Sequence, residues 1–184
     1  MRHYQFFGVV IALLVLGAHP PRLAAAAASV TADASSVPAA AAADGPEVAP
    51  LTAMELALFR LTNADRGRNG LAPALLDPSL LGIARARAAA QLTQDSLSHY
   101  DATGELAVAS LLAESGVNYL LAGENLARSA SDGSSVADSV EQALMGSPVH
   151  RKNILEPSFN RLAVGAVADS SGRLAFAEIF RAAP

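Results

Sequence analysis

The segment RLAVGAVADSSGRLAFAEIFR, residues 161–181, decides the fold of this chain. Small or apolar residues alternate with bulkier ones over 161–169 and again over 173–181, and Ser-Ser-Gly lies between the two runs. Two alternating runs joined by a short glycine-containing turn predict a β-hairpin. Alternation also places Glu178 on the face of Leu174, Phe176 and Phe180, where a carboxylate needs a partner such as a histidine, an arginine or a metal ion.

Five helices are predicted upstream of the hairpin. Thr52 to Glu55 form a capping box, and Asp77-Pro78 supplies an N-cap residue followed by a proline at the first helical position. The other predicted helices run from Glu105 to Ser115, from a Ser135 cap to Met145, and onward from Ser147-Pro148. Helices followed by a hairpin predict an α+β domain in which helices flank a small antiparallel sheet.

The first fifty residues lie outside this predicted domain. Residues 6–18 are uncharged, and thirteen residues are fewer than the ~20 that span a bilayer. We interpret residues 1–28 as a signal peptide, with an uncleaved anchor as the alternative, and residues 29–50 as a disordered Ala/Pro/Ser-rich linker. The domain then covers residues 51–184, and we expect a secreted or periplasmic protein with no transmembrane segment in the mature chain.

Composition excludes several classes of protein. The formal net charge is -4, with 13 basic and 17 acidic residues, so the chain lacks the basic surface of a sequence-independent nucleic-acid binder. Cysteine is absent, which excludes a disulfide framework, a thiolate zinc site and a cysteine nucleophile. From the negative net charge we expect no nucleic-acid partner.

Four dispersed polar residues carry the chemical argument, namely His99, Glu124, His150 and Glu178. Two imidazoles and two carboxylates that converge in a cleft can bind a divalent metal ion or transfer protons. Structural roles remain open for each of them. His99 would then end a helix, Glu124 would accept backbone N–H groups of a turn, and His150 would stack on the sheet.

Three further segments are short motifs, namely Gly-Glu-Asn at 123–125, SPVHRKNIL at 147–155 with Phe159 four residues on, and the strand RLAVGAV at 161–167. Together they resemble the CAP superfamily of cysteine-rich secretory proteins, antigen 5 and pathogenesis-related 1 proteins, and in particular its bacterial SCP-like extracellular branch. A looser match to LxxxNxxRxxxGLxPL involves Asn63, Arg66, Gly70, Leu71 and Pro73. The resemblance covers residues 54–181.

The resemblance implies an α-β-α sandwich with a central antiparallel sheet and a cleft lined by two histidines and two acidic residues. It assigns His99, Glu124, His150 and Glu178 to that cleft, as ligands for zinc or magnesium in members that bind a metal, although no cofactor is required. It brings the last strand beneath the cleft, so we expect a histidine partner for Glu178. Structural roles are expected for the motif residues Asn63, Asn125 and Asn153.

Two functions from different classes follow from this reading. The first is a secreted binding or interaction module at or outside the cell envelope, whose partner is a small ligand, a lipid or an envelope component. The alternative is a metal-dependent, peptidase-like hydrolase that uses the same cleft. Because the sequence offers no general base distinct from the candidate ligands, we favour a non-enzymatic binding module. We also expect a monomer.

Overall fold

The computed structural model describes residues 13–14, 50–130, 133 and 135–184. The predicted signal peptide and linker therefore lie almost entirely outside the described residues. The helices of the described part are α1 (Ala53–Arg68), α2 (Pro78–Leu92), α3 (Ala107–Glu114), α4 (Val136–Gly146) and α5 (Pro148–Ile154). None of them is both long enough and apolar enough to cross a membrane.

The strands form one sheet in the order β1-β3-β5-β4-β2. Their bounds are β1 (Leu13–Leu14), β2 (Leu75–Leu76), β3 (Leu121–Ser129), β4 (Arg161–Ala168) and β5 (Leu174–Ala182). The predicted hairpin is β4 with β5, and Arg161 lies opposite Arg181. Strands β3, β5 and β4 are antiparallel, whereas the short strand β2 pairs parallel to β4.

The helix starts follow the local sequence signals. Thr52 and Glu55 make both hydrogen bonds of a capping box at α1. At α2 the Asp77 side chain accepts a hydrogen bond from the Ser79 backbone N–H, and a proline occupies the first turn. Gly116, just beyond α3, has a φ of 63°, in the left-handed region that favours glycine after a helix. These elements were predicted because a few adjacent residues determine each of them.

Strand β3 was not predicted, because its Gly-Glu-Asn segment is typical of a turn. Gly, Glu and Asn are depleted in strands, and a strand buried on both faces does not alternate between apolar and polar residues. Seven of its nine residues are nevertheless buried. Pairing with the whole length of β5 makes β3 a principal strand of the sheet.

Helices cover both faces of the sheet, which confirms the α-β-α sandwich. On one face Phe176 and Phe180 pack with residues of α1, α4 and α5 such as Leu58, Val140 and Ile154. On the other face the core contains Ala177 and Ile179 of β5, with Leu80 and Ala84 of α2 and Leu112 of α3. We call these the α1/α4 face and the α2/α3 face.

Candidate functional site

A buried ion pair on the α2/α3 face centres on Glu124 of β3. Its Oε1 accepts a hydrogen bond of 2.7 Å from Arg87 Nε, and its Oε2 lies 2.5 Å from His99 Nδ1. All three side chains are buried. Sequence analysis placed His99 and Glu124 in one site, and the structure brings them into direct contact.

Two residues of α2 hold His99 in place, and sequence reasoning missed both. Arg87 Nη2 donates to the Ser98 carbonyl at 2.6 Å. Gln91 exchanges two hydrogen bonds with the Ser98 backbone, of 3.1 and 2.9 Å. A signal was present, because Arg87 and Gln91 lie four residues apart beside the apolar stripe of α2 and are therefore on one helix face.

His150 of α5 is a neighbour of His99 and is only 1% exposed. Burial, reinforced by the charge of His99, lowers the pKa of His150 to about 4. The ring is therefore neutral at pH 7, with one N–H donor and one acceptor nitrogen. Neither ring nitrogen has a hydrogen-bond partner among the described residues. Since an unmet buried polar group costs about 1–3 kcal/mol, a polar group that reached this imidazole would gain a hydrogen bond.

Two asparagines attach α5 to β3. Asn125 Nδ2 donates to the His150 carbonyl at 3.2 Å. Asn153 Nδ2 donates to the Glu124 carbonyl at 3.1 Å and lies 3.0 Å from Asn125 Oδ1. These bonds hold His150 beside the strand that carries Glu124. Asn63 lies elsewhere, where it bonds both backbone groups of Ala74 and ties α1 to the following loop.

Glu178 does not join the pair formed by His99 and Glu124. In the pairing of β5 with β3, Glu178 lies opposite Asn125, and the two side chains share one face of the sheet. Side chains of successive residues in a strand point to opposite faces, so Glu124 lies on the other side of the sheet from Glu178. The Glu178 carboxylate accepts hydrogen bonds from Thr62 Oγ1 at 2.5 Å and from Asn125 Nδ2 at 2.9 Å. The expectation of a histidine partner is therefore wrong, because Thr62 of α1 and Asn125 of β3 bond the two carboxylate oxygens.

A small hollow beside the ion pair opens to solvent, and its volume of about 10 Å³ has room for about one water molecule. His99 and Glu124 contribute its polar wall, and the remaining lining residues are Leu106, Val108, Ala109, Tyr119 and Ala122. Mostly apolar walls with a few converging polar groups are typical of small-molecule sites.

The expected zinc or magnesium ligands do not converge in the described part of the chain. No three His, Cys, Asp or Glu side chains there are placed to hold a metal ion. Both oxygens of Glu124 already face Arg87 and His99, and Glu178 lies across the sheet. The donor set as placed does not fit a tetrahedral zinc centre or an oxygen-ligated magnesium site. Metal binding therefore stays a prediction, and the function proposed for this site does not require it.

The three-layer fold and the buried His–Glu site define a small α-β-α domain of the SCP-like class. The chain belongs to the cysteine-rich secretory protein family, CAP, whose sequence profile matches residues 59–180. It does so without a single cysteine.

Individual relatives agree with this assignment. The uncharacterized protein YkwD of Bacillus subtilis (strain 168) is 34% identical over 121 residues, which are 66% of this chain and 45% of YkwD. This chain thus spans slightly less than half the length of that relative. The crystal structure of an extracellular protein containing a SCP domain from Bacillus anthracis is 27% identical, with a TM-score of 0.59, and the match covers 72% of this chain and 44% of the other.

A more distant likeness concerns the fold alone. An outer surface protein from Borrelia burgdorferi is 15% identical, with a TM-score of 0.60. The match covers 71% of this chain and 93% of that protein. The α-β-α sandwich is therefore also found in a chain of very different sequence.

Proposed function

We propose that this chain is an extracellular binding module that takes a small, largely apolar ligand through the site formed by His99, Glu124 and His150. One observation supports the proposal: the imidazole of His150 is buried, lies close enough to His99 to feel its charge, and has no hydrogen-bond partner for either nitrogen among the described residues. A ligand hydroxyl or carbonyl group would supply the missing hydrogen bond. The apolar wall of the neighbouring hollow would contact the rest of the ligand.

The charges of the site favour an uncharged polar group. Arg87 and Glu124 form a buried ion pair, so their charges offset each other. His150 is neutral at pH 7, because burial lowers its pKa to about 4. A fully charged ligand group would lose its hydration here without an opposite charge to meet it, which is costly. Lipids with a hydroxyl head group and apolar envelope components have the required chemistry.

An extracellular location is supported by two similar structures. One is described as an extracellular protein and the other as an outer surface protein. The apolar segment at residues 6–18 agrees with export through a signal peptide.

A hydrolase is the weaker candidate. A general base is most effective when its pKa lies near the working pH, and burial lowers the pKa of His150 to about 4, so this imidazole is a weak base. Both oxygens of Glu124 already face Arg87 and His99, so its carboxylate is not free to activate a water molecule.

Calorimetric titration with 1-decanol and with n-decane as a matched probe lacking the hydroxyl tests the proposal. We expect the wild-type protein to bind decanol, and His150→Phe to bind it about three- to tenfold more weakly, the loss of one hydrogen bond. Lys152→Ala is the control, because Lys152 lies exposed on the same helix. Equal decanol affinity in all three proteins, or no binding at all, would contradict the proposal.

A further inference from the structure

Two carboxyl groups meet on the α1/α4 face at the hydroxyl of Thr62, and a third lies beside them. Thr62 Oγ1 lies 2.5 Å from Glu178 Oε1 of β5, 3.0 Å from Glu141 Oε2 of α4 and 2.9 Å from the Leu58 carbonyl. Thr62, Glu141 and Glu178 are at most 3% exposed. The third carboxyl group is Asp65 of α1, which lies beside Glu141.

Counting protons decides the state of this cluster. A threonine hydroxyl has one proton to donate, yet Thr62 Oγ1 faces three oxygen acceptors. At least one carboxyl group must therefore carry a proton and donate it. Glu178 already accepts from Asn125 Nδ2 on its other oxygen, so it is the natural acceptor for Thr62. Glu141 is then the group that carries the proton and donates to Thr62 Oγ1.

The electrostatics agree with this count. Burial, with the charge of Glu178 as a further cause, raises the pKa of Glu141 to about 10. Burial also raises the pKa of Glu178 to about 7, against the hydrogen bonds from Thr62 and Asn125. Neither glutamate has an ion-pair partner in the described part of the chain, whereas Asp65 pairs with Arg68.

A cavity open to solvent lies beside this cluster. Its volume is about 330 Å³, and it is lined between α1 and α4 by Asp65, Arg68, Asp138 and Glu141, together with Leu61, Gln142 and Met145. Glu141 Oε1 meets no hydrogen-bond donor among the described residues. The charged groups that face Glu141 are thus Glu178 from the sheet, Asp65 and Arg68 from α1, and Asp138 from its own helix.

We propose that Thr62, Glu141 and Glu178 form a proton-operated lock that joins α1, α4 and β5 while Glu141 is protonated, and that loosens when Glu141 loses its proton. In the closed state the Glu141 carboxyl proton is donated to Thr62 Oγ1 and the Thr62 hydroxyl proton to Glu178, which makes a continuous chain of two hydrogen bonds. In the open state two buried carboxylates face each other without a cation between them, and like charges in a buried site repel strongly.

The lock also reaches the candidate binding site. Asn125 uses one side-chain proton on Glu178 and the other on the backbone carbonyl of His150. A change in the charge or position of Glu178 therefore changes the bond that holds α5 on β3. The lock itself does not depend on what the binding site takes, so its failure would leave the proposed ligand site untouched.

The direction of the pH effect follows from the raised pKa values. Both glutamates have an ordinary pKa of 4.5, and in the folded protein those pKa values rise to about 7 and about 10. The folded state therefore binds more protons than the unfolded state above pH 4.5. The stabilisation is fully present below that pH and is lost as the pH rises through 7 toward 10.

Melting temperatures at pH 6 and pH 9 test the lock. Glu141→Gln keeps a donor for Thr62 and cannot ionise, and Glu114→Gln is the matched control, because Glu114 is exposed on α3 at the other face of the sheet. We expect the wild type and the control to lose several degrees from pH 6 to pH 9, and Glu141→Gln to lose less than half as much. An equal loss in all three proteins would overturn the proposal.

Two measurements by NMR on the wild type do not depend on the variants. The side-chain carboxyl ¹³C signal of Glu141 should titrate above pH 7, and titration near pH 4.5 would overturn the lock. The imidazole signals of His150 should also move as the pH rises past 9, where Glu141 begins to lose its proton, although the pKa of that ring is about 4. The same movement in Glu141→Gln would overturn the connection to the binding site.

Discussion

Removing the charge of Glu124 should destabilise the domain in a way that depends on Arg87. The two side chains form an ion pair at 2.7 Å, and each is only 3% exposed. Breaking a buried pair by removing one partner leaves an uncompensated buried charge and costs about 3–5 kcal/mol. We expect Glu124→Gln and Arg87→Met each to cost about 3 kcal/mol, because Gln keeps some hydrogen bonds and His99 stays beside Glu124 in the arginine variant.

The double variant separates this explanation from a simple loss of packing. With both charges gone, no unpaired charge remains, so the double variant should cost about 2 kcal/mol less than the sum of the single variants. A loss of about 3 kcal/mol is a large part of the ~5–15 kcal/mol that stabilises a typical domain, and is readily measured.

Urea unfolding at pH 7 followed by circular dichroism is the suitable assay, because the chain contains no tryptophan for fluorescence. The surface pair Arg173–Asp169 is the control, since the arginine side chain of that pair is 56% exposed. Its cycle should give a coupling close to zero. The reasoning fails if the Arg87–Glu124 coupling is no larger than that of the surface pair.

Three further predictions concern single residues. The imidazole ¹H signals of His150 should titrate with a midpoint near pH 4, because burial lowers the pKa of the ring. The unfolded chain then binds the proton more readily, so this group reduces stability as the pH falls from 6.5 toward 4. A midpoint near 6.5 would contradict the burial of this ring. In urea unfolding, Gly165→Ala should lower the stability of the domain by about 1–3 kcal/mol, because the added Cβ would lie 2.3 Å from the Ala84 backbone. Gly82→Ala is the control and should not show this loss, because its Cβ would meet nothing within 4 Å. Arg66→Lys should lower the free energy of unfolding by about 2 kcal/mol in the same assay. The buried guanidinium donates to four backbone carbonyls, and an ammonium group cannot reach all four. An unchanged urea midpoint would show that these bonds contribute little.

The sequence predicted those parts of the fold that depend on neighbouring residues. The hairpin and the starts of α1 and α2 each follow from a short local pattern. Strand β3 follows from pairing with β5, which lies more than forty residues away in the chain. Its Gly-Glu-Asn segment has low strand propensity, and only tertiary pairing makes it a strand.

Only part of the site was predicted, because its remaining contacts also join residues that are far apart in the sequence. Alternation correctly placed Glu178 on the face of Phe176 and Phe180, yet its partners Thr62 and Asn125 come from elements whose packing on the sheet no local pattern reveals. The contact of His99 with Glu124 agrees with the family resemblance. Arg87 was overlooked because an arginine on a helix is usually solvated, and here its guanidinium turns into the core.

The most direct test of the binding site observes its unpartnered imidazole. Long-range ¹H–¹⁵N spectra of the histidine side chains, recorded with and without 1-decanol, report whether either nitrogen of His150 gains a hydrogen bond. The account predicts that decanol moves the ¹⁵N signals of His150 in the wild type and in Lys152→Ala, and that n-decane leaves them in place. Unchanged His150 signals at a decanol concentration that saturates binding elsewhere in the protein would contradict it.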